Sequence, residues 1–375
     1  MTQDRIRQLA NSLVTYSTRV QSGDLVFITA RGFDTFDLAD AVAAETVKAG
    51  GVPYIRFEDD RALRTLLVNG NEETFKKLGD FLLLEMKQAQ VFIGIRGGSN
   101  IFELADVPKE KIESYDKYIT GPVHIEQRVK HTRWCVLRYP NSAMCQLAQT
   151  STAAFQSFFY DVCCLDYSKM AVAVEPLRAL MHRTDRVRIV APDTDLQFSI
   201  KGIPTVKCTG ENNIPDGECF TAPVRESING TIRFNAASVH NGILYDSIRL
   251  TFHEGKAVEV DSGANTDRLR SVLTKDEGAS YVGEFSFGFN PYILTPMKDT
   301  LFDEKIAGSI HMAMGSCYDD APNGNKSALH WDLVQIQRPE YGGGEIYFDD
   351  VLIRKDGKFV IAELEGLNPE IIKDS

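Results

Sequence analysis

The sequence predicts an α/β protein in two parts, an N-terminal α/β domain on a parallel sheet and a β-rich α+β C-terminal domain. Two observations predict it. Up to Leu180, short apolar runs alternate with stretches of helical periodicity, the pattern of a parallel sheet covered by helices. From Arg186 onward, short strands separated by polar turns replace that alternation. The expected division is therefore 1–185 and 186–375.

The elements follow in order. Ile6, Leu9, Leu13 and Tyr16 share one face of a helix over 4–20. Residues 25–30 (LVFITA) form a buried strand, and a helix over 35–49 ends at Gly50-Gly51. Residues 52–57 are the second strand. A helix over 73–90 leads to the third, 91–95, and 134–139, closed by Pro140, is the fourth. Helices are expected over 152–164 and 167–180. Beyond them come strands at 186–190, 197–200, 230–235, 248–253, 257–260 and 282–287.

Composition excludes several classes. The 375-residue chain carries a net charge of −11, which leaves no basic footprint for nucleic acid or an anionic membrane. Its seven cysteines are odd in number and include no C-x-x-C pair, so reduced thiols and a cytoplasmic setting are expected. Charge in MTQDRIRQLANSL argues against a signal peptide, and no apolar run is long enough to span a bilayer. The first strand is followed by Arg31-Gly32-Phe33, not G-x-G-x-x-G, and no phosphate-binding G-x-x-x-x-G-K-[ST] occurs. HExxH and G-x-S-x-G are absent as well.

The polar residues that suit chemistry gather between Glu218 and Asp332. His330 and Asp332 flank Trp331 in a strand-like stretch, and the two-residue period aims both at one face, with Trp331 opposite. An imidazole beside a carboxylate is half of a metal site, although a surface hydrogen-bonded pair reads the same way. His311 lies among small apolar neighbours, as a ligand or a core histidine would. Glu284 interrupts an apolar strand, and Glu218 follows the turn Pro215-Asp216-Gly217. Tyr318 follows Gly315-Ser316. Each residue alone also fits an ordinary structural place. Together they supply carboxylates, imidazoles and a phenol, a set suited to paired divalent ions that share and activate a water.

Four strips carry a resemblance: NIPDGECFTAP (213–223), GEF (283–285), HMAMGSCY (311–318) and LHWDL (329–333), with RYPNSAMCQLAQ (138–149) and PDTDLQF (192–198) upstream. In this order they resemble the signature segments of the M29 metallopeptidases, the aminopeptidase T and S type. The resemblance implies a metal-dependent aminopeptidase acting on peptides with a free N-terminus. Two divalent ions, zinc, cobalt, manganese or magnesium, would be held by Glu218, Glu284, His311, Tyr318, His330 and Asp332. Glu218, Glu284 and Tyr318 would take part in catalysis. A cytoplasmic homodimer is implied, with no nucleic-acid or membrane partner. The chain departs from the family at Trp331, where a small or β-branched residue is usual, at Leu333-Val334, and in the short segment from Tyr318 to His330. Two alternatives stand beside this reading: a mononuclear iron ring-cleaving dioxygenase of a related branch, which shares the His-x-Asp strip, and a non-catalytic metal-stabilised binding protein.

Overall fold

The computed structural model describes residues 2–374. The chain packs as two compact units, residues 1–165 with 210–214, and residues 166–209 with 215–375.

The first unit is built on a parallel sheet. Its strands run in the order Val52–Glu58, Leu25–Arg31, Val91–Arg96 and Arg133–Arg138, with Asn213–Ile214 added beyond the last. Val26, Phe27 and Ile28 are buried, as are Val91, Phe92 and Ile93. Strands covered on both faces must be apolar at consecutive positions, so they read as unbroken runs. Helix Phe36–Lys48 stops where Gly50 turns left-handed (φ 83°), and the Gly51 N–H closes back on the Thr46 carbonyl. Helix Glu72–Gln88 starts at Asn71, whose side chain accepts from the Thr74 N–H. Helix Lys109–Tyr115 and the π-helical Asp116–Val129 have no counterpart among the sequence expectations. Gly121 and Pro122 disguise the pattern there, and the wider winding houses Pro122.

The second unit begins earlier in the chain than residue 186. The helix expected over 167–180 is two helices, Tyr167–Ala173 and Glu175–Arg183, both in the second unit. Pro176 lies in the first turn of the second helix, where its missing N–H costs nothing, and inside one longer helix it would break the ladder.

This unit holds two large sheets and a small hairpin. The eight-stranded sheet contains the strands anticipated between 186 and 260, together with Glu345–Phe348, Val351–Lys355 and Lys358–Phe359. The five-stranded sheet is antiparallel, in the order His330–Ile336, Ser309–Gly315, Val282–Gly288, Glu218–Thr221 and Val206–Cys208. One face of it is aromatic and meets the larger sheet. Phe285 packs on Phe198 with ring centroids 5.0 Å apart, and Phe287 on Phe348 at 5.9 Å. Residues alternate across a strand, so the polar partners of these phenylalanines face the other way.

Candidate metal centre

The register of the five-stranded sheet collects the polar residues. Gly288 pairs with Glu218, Ser286 pairs with both Phe220 and His311, Glu284 and Asp332 both pair with Ala313, and Gly315 pairs with His330. Directly opposed residues project to the same side, so Glu218, Glu284, His311, His330 and Asp332 share one face. Ser286 and Ala313 occupy the middle of that face. Their small side chains leave room between the larger polar ones.

A bulge between Val282 and Glu284 shifts the register. It brings Gly283 against the chain crossing beside it, where an added Cβ would lie 2.3 Å from the Ser316 carbonyl oxygen. Trp331 turns away from the polar face, as the strand period requires. It stacks on His240 at 4.4 Å and donates from Nε1 to Ser238 Oγ at 3.0 Å. The hairpin Ser238–Tyr245 thus explains the bulky residue at this position.

The side chains converge. His311 Nε2 lies 3.4 Å from Glu218 Oε2 and 3.3 Å from Glu284 Oε1. His330 Nε2 lies 3.4 Å from Glu284 Oε2 and 3.5 Å from Asp332 Oδ1. Glu218, Glu284, His311 and Asp332 are buried, and the His330 side chain is 24% exposed. Tyr318 joins from the following loop. It is 48% exposed and lays its ring on His330, with centroids 4.6 Å apart. Buried Asn325 pins that loop by donating to the carbonyls of Gly278 and Gly315.

Both imidazoles are oriented from behind. His311 Nδ1 is 3.0 Å from the Glu304 carbonyl oxygen, and His330 Nδ1 is 2.8 Å from that of Ser316. A carbonyl oxygen only accepts, so Nδ1 carries the hydrogen in each ring and Nε2 faces the carboxylates. This is how metal-ligating histidines are held.

The electrostatics are those of crowded negative charge. Burial alone would lower the pKa of His330, but Asp332 and Glu284 push it up to about 11; His311 is raised by Glu284 and Glu218 against the same effect of burial. Burial would raise Asp332, yet the His330 partner brings it down to about 2. Glu218 is raised, chiefly by burial. Such a set attracts cations, protons or metal ions, to the same atoms.

Three further observations test the fit to a metal. Glu218 Oε2, His330 Nε2 and Asp332 Oδ1 are buried and, among the described residues, have no hydrogen-bond partner. Orphaned polar atoms of this kind are costly unless something satisfies them. Ligand atoms of Glu284, His311 and Asp332 lie within 4.8 Å of one another, and so do those of Glu218, Glu304 and His311. The donors are imidazole nitrogens and carboxylate oxygens, which suit zinc, cobalt or manganese. The residues fit a divalent metal.

Sequence reasoning missed Glu304 and Lys305. Lys305 is fully buried, touches the Glu304 carboxylate and stands 3.5 Å from Glu218 Oε1. In sequence, Phe302-Asp303-Glu304-Lys305 reads as a solvated charged turn, and no local signal marks it as buried. Asp216 and Cys208 also approach Glu218 closely enough to form a third potential donor group.

Known proteins agree with this fold. The family profile described as thermophilic metalloprotease (M29) matches residues 2–359. Aminopeptidase T of Thermus thermophilus is 38% identical over 119 residues, 31% of this chain and 29% of its own length. The aligned stretch thus spans less than a third of that relative. The solved structure of wild-type AmpT from Thermus thermophilus superposes with a TM-score of 0.81 at 20% identity, covering 96% of this chain and 100% of that one. A 2,5-dihydroxypyridine dioxygenase from Pseudomonas putida KT2440 superposes at 0.63 with 13% identity, covering 96% and 99%. At these identities both structures speak for the fold alone.

Proposed function

This chain belongs to the M29 family of metalloproteases, and on that premise we propose that it is a metal-dependent aminopeptidase removing N-terminal residues from peptides. The observation that carries the reading is the trio of buried atoms on one face of the sheet, Glu218 Oε2, His330 Nε2 and Asp332 Oδ1, that crowd ion-pair neighbours at 3.4–3.5 Å without a hydrogen bond among the described residues. Two ions per chain, zinc, cobalt, manganese or magnesium, would lie among Glu218, Glu284, His311, Tyr318, His330 and Asp332. Donor groups lie on both sides of His311, whose one free nitrogen, Nε2, can serve an ion on only one of them. When bound, such ions lower the pKa of a water and polarise the scissile carbonyl.

The chain's own residues do the rest. The Glu304 and Ser316 carbonyls fix the two imidazoles. Glu284 or Glu218 takes the proton of the attacking water and returns it to the leaving amine. Asp332 also borders a small pocket lined by Ala236, Val239, Lys298, Thr300 and Asp303.

A panel of aminoacyl-p-nitroanilides with added cobalt or zinc tests this, with Glu284→Gln and Glu218→Gln beside the wild type. The variant of the base keeps its metal and loses turnover. Hydrolysis of none of the panel by metal-loaded protein would overturn the reading and leave a metal-stabilised binding protein.

One observation favours a second reading. His311, His330 and Asp332 also compose a two-histidine, one-carboxylate set of the kind that holds a single iron in oxygenases. Oxygen uptake with a dihydroxypyridine would mark that reading.

Two further parts of the proposal are a cytoplasmic location and a homodimer. Among the described residues none of the seven cysteines is in a disulfide, and no helix is long and apolar enough to cross a membrane. Light scattering on the purified protein tests the dimer.

A further inference from the structure

We infer that Lys305 is a built-in cation standing at one of the two metal positions, so that the chain holds one divalent ion tightly and admits a second only weakly. The inference rests on the reading of the site as a metal centre and concerns how that centre fills.

The geometry divides the site in two. On one side, Glu218, Glu304 and His311 form a donor group. Both carboxylates of that group are already partners of Lys305, whose ammonium contacts Glu304 and lies 3.5 Å from Glu218 Oε1. On the other side, Glu284, His311 and Asp332 form a second group, and among the described residues the ion pairs of its carboxylates are with histidines, not with a lysine or arginine. Of the buried atoms that lack a hydrogen bond, His330 Nε2 and Asp332 Oδ1 lie on this side, and Glu218 Oε2 lies 3.4 Å from Nε2 of the shared His311.

Glu218 is therefore split. Its Oε1 faces an ammonium at 3.5 Å and its Oε2 faces His311 Nε2 at 3.4 Å. A carboxylate that bridges two ions needs both oxygens, and here one is committed to a cation of the chain's own. A dication drawn to the Glu218–Glu304 side would meet a positive charge a few ångströms away, in surroundings that screen poorly.

Lys305 cannot easily withdraw. Its side chain is wholly enclosed, with no exposed area. Its backbone is tied at both ends, the N–H to the Phe302 carbonyl and the C=O to the Asn290 N–H, each at 3.0 Å. A buried ammonium persists where carboxylates surround it, and Glu304 and Glu218 supply them.

The test is metal stoichiometry, independent of turnover. Full-length wild type, stripped with chelator, is equilibrated with zinc, cobalt or manganese, and bound metal is counted by elemental analysis across a range of free ion. We expect one ion per chain bound about 100-fold more tightly than a second. Lys305→Met, which removes the charge and keeps a flexible unbranched chain, brings the two affinities to within about tenfold of each other. Lys305→Arg, which keeps the charge, leaves one tight ion. Two equally tight ions in the wild type overturn the inference and leave the metal centre standing. One tight ion in a folded Lys305→Met protein also overturns it. No ion retained by the wild type at all overturns the metal reading itself. Should Lys305→Met fail to fold, the wild-type binding curve still decides.

Discussion

His330 donates its Nδ1 hydrogen to the Ser316 carbonyl oxygen at 2.8 Å, and that one bond turns Nε2 toward Glu284 and Asp332. The acceptor belongs to the backbone just after Gly315, whose left-handed conformation (φ 103°) starts the turn carrying Tyr318. The loop thus orients the imidazole and also lays a phenol ring over it.

Replacing His330 by alanine removes the donor atom and the ring on which Tyr318 packs. Metal should then stabilise the protein far less. Wild type at 100-fold excess of metal over its dissociation constant should gain about 2.7 kcal/mol. Thermal melts with and without cobalt or zinc check this, and the shift should largely vanish in His330→Ala.

Ala313 stands between Glu284 and Asp332 in the register and is completely buried. Ala313→Val suits a strand but fills the space between the proposed ligands Glu284 and Asp332. A stability loss of about 1–3 kcal/mol is expected from overpacking, with metal affinity falling more than stability accounts for. Denaturant titration and metal counting on the same preparation separate the two effects.

Gly283 has no room for a side chain, since a Cβ there would be 2.3 Å from one carbonyl oxygen and 2.5 Å from another. Both belong to backbone, which cannot swing aside as a side chain does. Gly283→Ala should cost about 2–3 kcal/mol and displace Glu284. The denaturation midpoint and the metal content should fall together.

His124, in the first unit, packs edge-on to Phe92. Burial, and then the Arg128 charge, lower its pKa from 6.5 to about 4. The unfolded chain therefore binds a proton that the folded chain refuses. Stability from this group is full above pH 6.5 and is lost as pH falls toward 4. His124→Phe should remove that acid sensitivity, on the order of 2 kcal/mol between pH 7.5 and 4.5. Urea midpoints of wild type and variant across this range check it, and a constant difference would contradict it.

Much of the fold was legible from local chemistry. The runs LVFITA and VFIGI announced buried parallel strands, because strands covered on both faces need apolar residues throughout. Gly50 announced a helix end, since a left-handed residue costs glycine little. The alternation His330, Trp331, Asp332 announced which residues share a face, because the strand period is two.

Tertiary structure alone decided the rest. Register placed small Ser286 and Ala313 amid the polar side chains, and register depends on strands far apart in sequence. The bulge at Gly283 aimed Glu284 through contact with a distant carbonyl. Lys305 is the sharpest case. Its neighbours in sequence predict a solvated turn, and only packing encloses its ammonium with Glu218, some ninety residues earlier in the chain. Sequence by itself determined which residues could be ligands. Where their charges meet, and which meets a lysine, was decided by long-range contacts that no local pattern encodes.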